Sequence, residues 1–202
     1  MKKVLYPLGL LLAALLFFNA CAARRMARQA TTDQGVVING VRWATRNVDA
    51  PGTFAPSPES FGMIYQWGSR IGWNATGNVT NWSHSWTQLW AWDNSNDPCP
   101  EGWRLPTSDE LQSLIVSGSI ATTINGVNGR LFGTAPNQLF LPAAGWRCDQ
   151  YGVLSGAGSY GDYWSGQLDR DRAFSMGLTR DRAFIGRSIP ARGFSVRCVA
   201  IQ

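Results

Sequence analysis

Basic side chains other than arginine are almost missing from this chain: its only lysines are Lys2 and Lys3, and its only histidine is His84. A single histidine excludes a multi-histidine metal centre, and a Ser-His-Asp arrangement would have to be built around one polar loop residue. No Cys-x-x-Cys pair occurs among the four cysteines, which removes the usual zinc-binding spacing. The tract Gly156-Ala157-Gly158-Ser159-Tyr160-Gly161 misses the Gly-x-Ser-x-Gly nucleophile elbow because Ala157 holds the place of the first glycine, so it reads as turns. The one long apolar run, Leu8 to Phe18, falls short of the roughly 20 residues that a membrane-crossing helix needs. Runs of basic residues are lacking too. The arginines are scattered, and no nucleic-acid partner is expected.

What the beginning of the chain does contain is the layout of a signal peptide over residues 1–20: Lys2 and Lys3, the apolar run, then small Ala20 directly before Cys21. Phe18-Asn19-Ala20-Cys21 resembles a bacterial lipobox, with Phe18 and Asn19 departing from the usual pattern. The resemblance implies that Cys21 carries lipid and holds the protein at a membrane, as an outer-membrane lipoprotein of a bacterial cell envelope. Without Lys2 and Lys3 the formal charge falls from +5 to +3, and every remaining cation is an arginine. Residues 21–34 are polar, arginine-rich and without periodicity, which predicts a flexible tether. Residues 35–202 are expected to form one domain with a real hydrophobic core.

Ten tryptophans and 22 glycines describe a loop-rich, aromatic-packed domain rather than a helical bundle. Val36 to Trp43 places two β-rich halves around Asn39-Gly40, the strongest short hairpin signal. Pro51, Pro56 and Pro58 mark an irregular loop, and Gly62 to Trp67 reads as a buried strand. Trp73 to Asp97 mixes tryptophan with Asn and Ser without a strict period, which predicts a long ordered loop. Thr107-Ser108-Asp109-Glu110 is a capping box opening a helix with Leu111, Leu114 and Ile115 on one face, ending near Ser117-Gly118. Short β segments follow around Leu131, Leu139, Trp164, Phe174, Phe184 and Phe194. Arg170-Asp171-Arg172-Ala173-Phe174 recurs ten residues later as Arg180-Asp181-Arg182-Ala183-Phe184. We read the echo as two consecutive strands of one hairpin bringing the same side chains to matching places. In an oxidising compartment two of Cys99, Cys148 and Cys198 should pair and leave one over.

Asp97-Pro98-Cys99-Pro100-Glu101-Gly102-Trp103-Arg104-Leu105-Pro106-Thr107, Leu139 to Gly145, Tyr163-Trp164-Ser165 and Gly193 to Val199 together resemble the Fibrobacter succinogenes major paralogous domain. The resemblance runs in order from about Val41 to Val199. It implies an α+β, C-type-lectin-like fold of small twisted antiparallel sheets, one or two helices and long loops, with the terminal strands brought together. It also implies a disulfide between Cys99 and Cys198, leaving Cys148 as the odd thiol, which is expected to be buried as a small hydrophobe. The formylglycine-generating enzymes share the broader fold and are the enzyme alternative. They work through reactive cysteines and a bound metal, so the expected disulfide speaks against that chemistry, and neither an enzymatic activity nor a cofactor is expected.

Lectin-like calcium binding finds little support. Trp92-Asp93-Asn94 inverts the polar pair of the lectin Trp-Asn-Asp motif, Ala135-Pro136-Asn137 lacks the acidic residue of Glu-Pro-Asn, and Asp93 with Asp97 is not a dedicated loop. No metal is expected. Arginine and aromatic side chains are the usual anchors of binding surfaces, which marks Tyr160, Tyr163, Trp164, Arg170, Asp171, Arg172, Arg180, Asp181, Arg182 and Arg187 as candidate ligand contacts. The competing reading is an exposed hairpin whose Arg and Asp neutralise one another. Lectin-like domains of this kind also resemble variable proteins diversified by retroelements, and that resemblance implies Trp164 to Arg192 as the zone where such changes would fall. The functional expectation is a lipid-anchored envelope binding module for a protein or glycan ligand; the alternative is a structural subunit of a surface or fimbrial assembly.

Overall fold

The computed structural model describes residues 29–84, 92, 93 and 95–201. The signal-peptide residues, the lipidation candidate Cys21 and the loop tryptophans Trp86 and Trp90 lie outside them. In chain order the strands are β1 (Val36–Ile38), β2 (Val41–Trp43), β3 (Met63–Gln66), β4 (Gly72–Asn74) and β5 (Trp103–Arg104), followed by helix α1 (Ser108–Val116). Then come β6 (Ser119–Ile124), β7 (Val127–Thr134), β8 (Asn137–Pro142), β9 (Trp146–Arg147) and β10 (Leu154–Ser155). The last five are β11 (Gly161–Asp169), β12 (Arg172–Leu178), β13 (Ala183–Ser188), β14 (Gly193–Ser195) and β15 (Val199–Ala200). Among the described residues no helix is long and apolar enough to cross a membrane.

The strands make three small sheets: β1-β2-β15-β5; β6-β7-β8; and a larger one in the order β10-β9-β14-β11-β12-β13 with β3 and β4 attached through β14. Asn39 and Gly40 both take positive φ, 49° and 81°, which is the turn geometry the Asn-Gly pair favours, and β1 pairs with β2 across it. The last strand, β15, lies between β2 and β5, so the beginning and the end of the domain share one sheet. Cys99 and Cys198 are joined by a disulfide beside that sheet, closing a separation of 99 residues.

Strand β11 runs through the middle of the large sheet, and both of its faces are covered. On one face Trp164 packs with Ala173, Trp67, Phe194 and Val196. On the other Tyr163 joins Met176 and Leu178 against Leu111 and Leu114 of α1. The helix starts as its capping box requires: Thr107 accepts from the Glu110 N–H, and the Glu110 carboxylate accepts from the Thr107 N–H at 2.7 Å. Arg104 adds a two-pronged bond to the same carboxylate at 2.9 and 2.7 Å, tying the helix start to β5.

The expected tether ends earlier than the sequence suggests. Residues 29–31 form a helical turn, and residues up to Gly35 dock on the domain. The Asp33 carboxylate, 2% exposed, accepts from Arg46 at 3.3 Å, from the Thr45 N–H at 3.0 Å and from the Thr45 hydroxyl at 2.9 Å. Arg46 in turn donates to the carbonyls of Gln29, Thr32 and Ala55. A buried guanidinium needs a carboxylate and several acceptors, and here only the chain before residue 35 supplies enough of them. Cys148 departs from expectation too: it is half-buried and unpaired, not in the core.

Candidate functional site

The β6–β7 hairpin builds the floor of a cavity of about 510 Å³. Asn125 and Gly126 take positive φ, 49° and 81°, and the register they set pairs Ala121 with Arg130 and Thr123 with Asn128. Those four side chains therefore share one face of the sheet. Its walls are the turn at Gly158 and Ser159 and the segment Leu178, Thr179 and Arg180 that leaves β12. The volume falls within the roughly 300–1,000 Å³ usual for ligand pockets.

Arg130 connects floor to wall. Only 6% exposed, it donates to the Ser119 hydroxyl and carbonyl, both at 2.9 Å, and to the carbonyls of Thr179 at 3.1 Å and Arg180 at 2.7 Å. Burial pushes its pKa down, and the nearby Asp181 charge pushes it back up. Thr123 donates to the Asn128 side-chain carbonyl at 2.8 Å, and the Asn128 amide donates to the Gly158 carbonyl at 3.0 Å, which holds the second wall. Arg180 also lines the cavity, and among the described residues it forms no ion pair. The lining includes Arg130 and Arg180 and no acidic residue, and the Asp181 carboxylate lies near enough to Arg130 to offset part of its charge.

The ten expected ligand residues do not form one surface. Tyr163 and Trp164 are fully buried, which takes them out of the expected set of ligand contacts. The Tyr163 hydroxyl donates to the Pro142 carbonyl at 2.7 Å, and the Trp164 ring N–H donates to the Tyr65 carbonyl at 2.7 Å. Alternation along β11 cannot expose either, because both faces of that strand are packed. Tyr160 is half exposed, in the turn beside Ser159.

The Arg-Asp echo is placed at opposite ends of β12, not at matching places. Arg170 and Asp171 form the turn entering that strand and Arg180 and Asp181 the turn leaving it, because the two strands of the hairpin run antiparallel. Seven residues of extended chain hold the two groups about 20 Å apart. Arg187 belongs to the first end and pairs with Asp169, while Arg172 and Asp171 approach to 4.0 Å in the open. That end is largely self-neutralised. At the other end Arg182 lies 5.3 Å over the Phe184 ring.

Two carboxylates weighed as metal ligands serve their own backbone instead. Asp93 accepts from the Ser95 N–H at 2.7 Å, and Asp97 from the N–H groups of Cys99 at 2.7 Å and Leu105 at 3.3 Å. A separate acidic position, Asp162, sits half-buried in β11 near Arg192, which stacks on Trp146 at 4.8 Å and approaches Asp149 to 3.7 Å. Burial pushes the Asp162 carboxyl up to about 6, with Arg192 opposing the shift.

The cavity residues Thr123, Asn128, Arg130 and Ser159 were not expected from sequence. Only Arg180 belongs to both sets. Asn125-Gly126, a second Asn-Gly pair, was the available signal for the hairpin that carries the floor. No protein-family model, no curated protein and no solved structure matches the chain.

Proposed function

We propose that this chain is a lipid-anchored binding module of a bacterial cell envelope, C-type-lectin-like in fold and resembling the Fibrobacter succinogenes major paralogous domain, and that it recognises its ligand through the cavity beside Arg180. The observation that carries the reading is a pre-formed polar cavity whose wall arginine, Arg180, forms no ion pair among the described residues. Arginines normally find a carboxylate or several acceptors within the fold, as Arg46, Arg104 and Arg130 do here. Arg180 is left available. The Cys99–Cys198 disulfide suits an exported, oxidising address, and the shared sheet of the first and last strands suits the lectin-like topology. It also takes two of the thiols that oxidative catalysis would use.

The test is a binding screen of the full chain in detergent against glycans and envelope proteins, beside Ala121→Tyr. Ala121 is an exposed strand residue on the cavity floor, so tyrosine fills the space without disturbing the core. Binding that the variant removes, with an unchanged melting curve, supports the reading. Binding that survives the plug moves the site elsewhere.

A structural subunit is the second reading, and β6 favours it. Ser119-Ile120-Ala121-Thr122-Thr123-Ile124 is a sheet edge without charge, proline or bulge, and Ile120 is 63% exposed. Stable co-purification of a fixed partner, lost in Ile120→Lys, would favour it over the cavity.

A further inference from the structure

We propose that the cavity is a subsite for the carboxylated sugar residue of an acidic glycan, with the Arg180 guanidinium reading the carboxylate. This rests on the binding-module reading and names its ligand class. The charge of the lining is the first argument. Its two ionisable residues are both arginines, and although Asp181 offsets part of the Arg130 charge, Arg180 forms no ion pair among the described residues, so the lining favours an anionic ligand. Arg130 has committed its donors to Ser119, Thr179 and Arg180, and it contributes field rather than a direct bond. Arg180 retains its planar fork, whose two parallel N–H groups match a carboxylate.

The remaining lining separates a sugar from other anions. The Ser159 hydroxyl is of the kind that ring hydroxyls pair with, Thr123 and Asn128 keep a hydroxyl lone pair and a second amide N–H beyond the bonds that hold the wall, and Leu178 with Ala143 gives a small apolar patch for the C–H face of a pyranose. A phosphate would instead need converging backbone donors. The available ones are spent: the Gly158 N–H donates to the Ala143 carbonyl at 2.7 Å and the Ser159 N–H to the Gly156 carbonyl at 2.9 Å. An apolar peptide anchor would want aromatic walls, and the lining has none.

Pre-organisation completes the case. The 2.7 Å bond from Arg130 to the Arg180 carbonyl, and its neighbour to Thr179, hold the backbone that carries Arg180 in place relative to the floor before any ligand arrives. Arg130 is thus a positioning residue, and Arg180 is the contact.

The test is calorimetric titration of the full chain in detergent with a galacturonate trisaccharide and with its neutral galactose counterpart. The acidic trisaccharide is expected to bind more tightly, with affinity falling as salt rises. Arg180→Gln should weaken it by about 10- to 100-fold, the range of a lost charge-assisted bond, and leave the neutral sugar unaffected. Arg180→Lys should recover part of the loss, and Ala121→Tyr should abolish binding. Arg180 is exposed on a turn, so both of its variants should melt like the wild type. Equal binding of the two trisaccharides, or full binding in Arg180→Gln, overturns the proposal. If neither sugar binds while the broader screen finds a ligand that Ala121→Tyr blocks, the ligand class fails and the binding-module reading stands. No ligand at all, or only ligands indifferent to the plug, ends both.

Discussion

Asp33 shows how one carboxylate can decide where a domain begins. Its side chain satisfies the Thr45 backbone and hydroxyl, the Gly35 N–H and the Arg46 guanidinium, whose own side chain is 10% exposed. Asp33→Ala removes the carboxylate paired with Arg46, and the docked segment is free to leave and let water reach the guanidinium. The expected loss is about 1–3 kcal/mol in urea unfolding, accompanied by new proteolytic cleavage within residues 29–34. Unchanged protection there would show that the backbone contacts suffice.

Asp162 presents the opposite electrostatic case, because burial holds its carboxyl at about 6 in the folded protein. A raised folded pKa means that the native state binds the proton more tightly, so this group favours folding at low pH and loses that contribution as pH rises from about 4 to 6. Asp162→Asn should therefore be more stable than wild type at pH 7.5, by about 1–2 kcal/mol, with the advantage fading as pH falls toward 4. An advantage independent of pH would point to packing. Neither residue announced its role in the sequence. Asp33 sits in a polar stretch that composition reads as tether, and Asp162 in a Gly-Asp-Tyr run without a motif.

Among elements, the hairpin formed by β12 and β13 carries the clearest lesson. Its five-residue echo was visible in the sequence, and so was its assignment to consecutive strands. The placement was not, because antiparallel pairing carries equivalent positions of the two strands to opposite ends. Arg170→Ser with Arg172→Ser should consequently leave ligand binding intact, whereas Arg180→Ser with Arg182→Ser should remove it, both read by titration against whichever glycan or protein the screen identifies. Equal losses from the two pairs would mean one continuous surface after all. Helix α1 and the hairpin at Asn39-Gly40 were legible for a simpler reason: capping boxes and Asn-Gly turns are local chemistry, complete within four residues. The same chemistry at Asn125-Gly126 carries the cavity floor.

At the scale of the whole molecule, the Cys99–Cys198 bond closes a loop with a separation of 99 residues around most of the domain. In the chain-entropy model such a loop contributes about 4–5 kcal/mol by restricting the unfolded state. Cys99→Ala with Cys198→Ala should lower the unfolding free energy by that order, and a urea midpoint unmoved by reduction would contradict it. The sequence by itself determined what local and pairwise chemistry can write: the capped helix, the first hairpin, the β-rich remainder, and the prospect of one disulfide among Cys99, Cys148 and Cys198. Tertiary structure alone decided which residues face outward. Tyr163 and Trp164 look like recognition aromatics, yet they lie on a strand covered by apolar clusters on both faces. The cavity joins Thr123, Ser159 and Arg180 from three separate elements, and no sequence spacing encodes that meeting. It arises because the buried Arg130 finds its acceptors in the turn that follows β12.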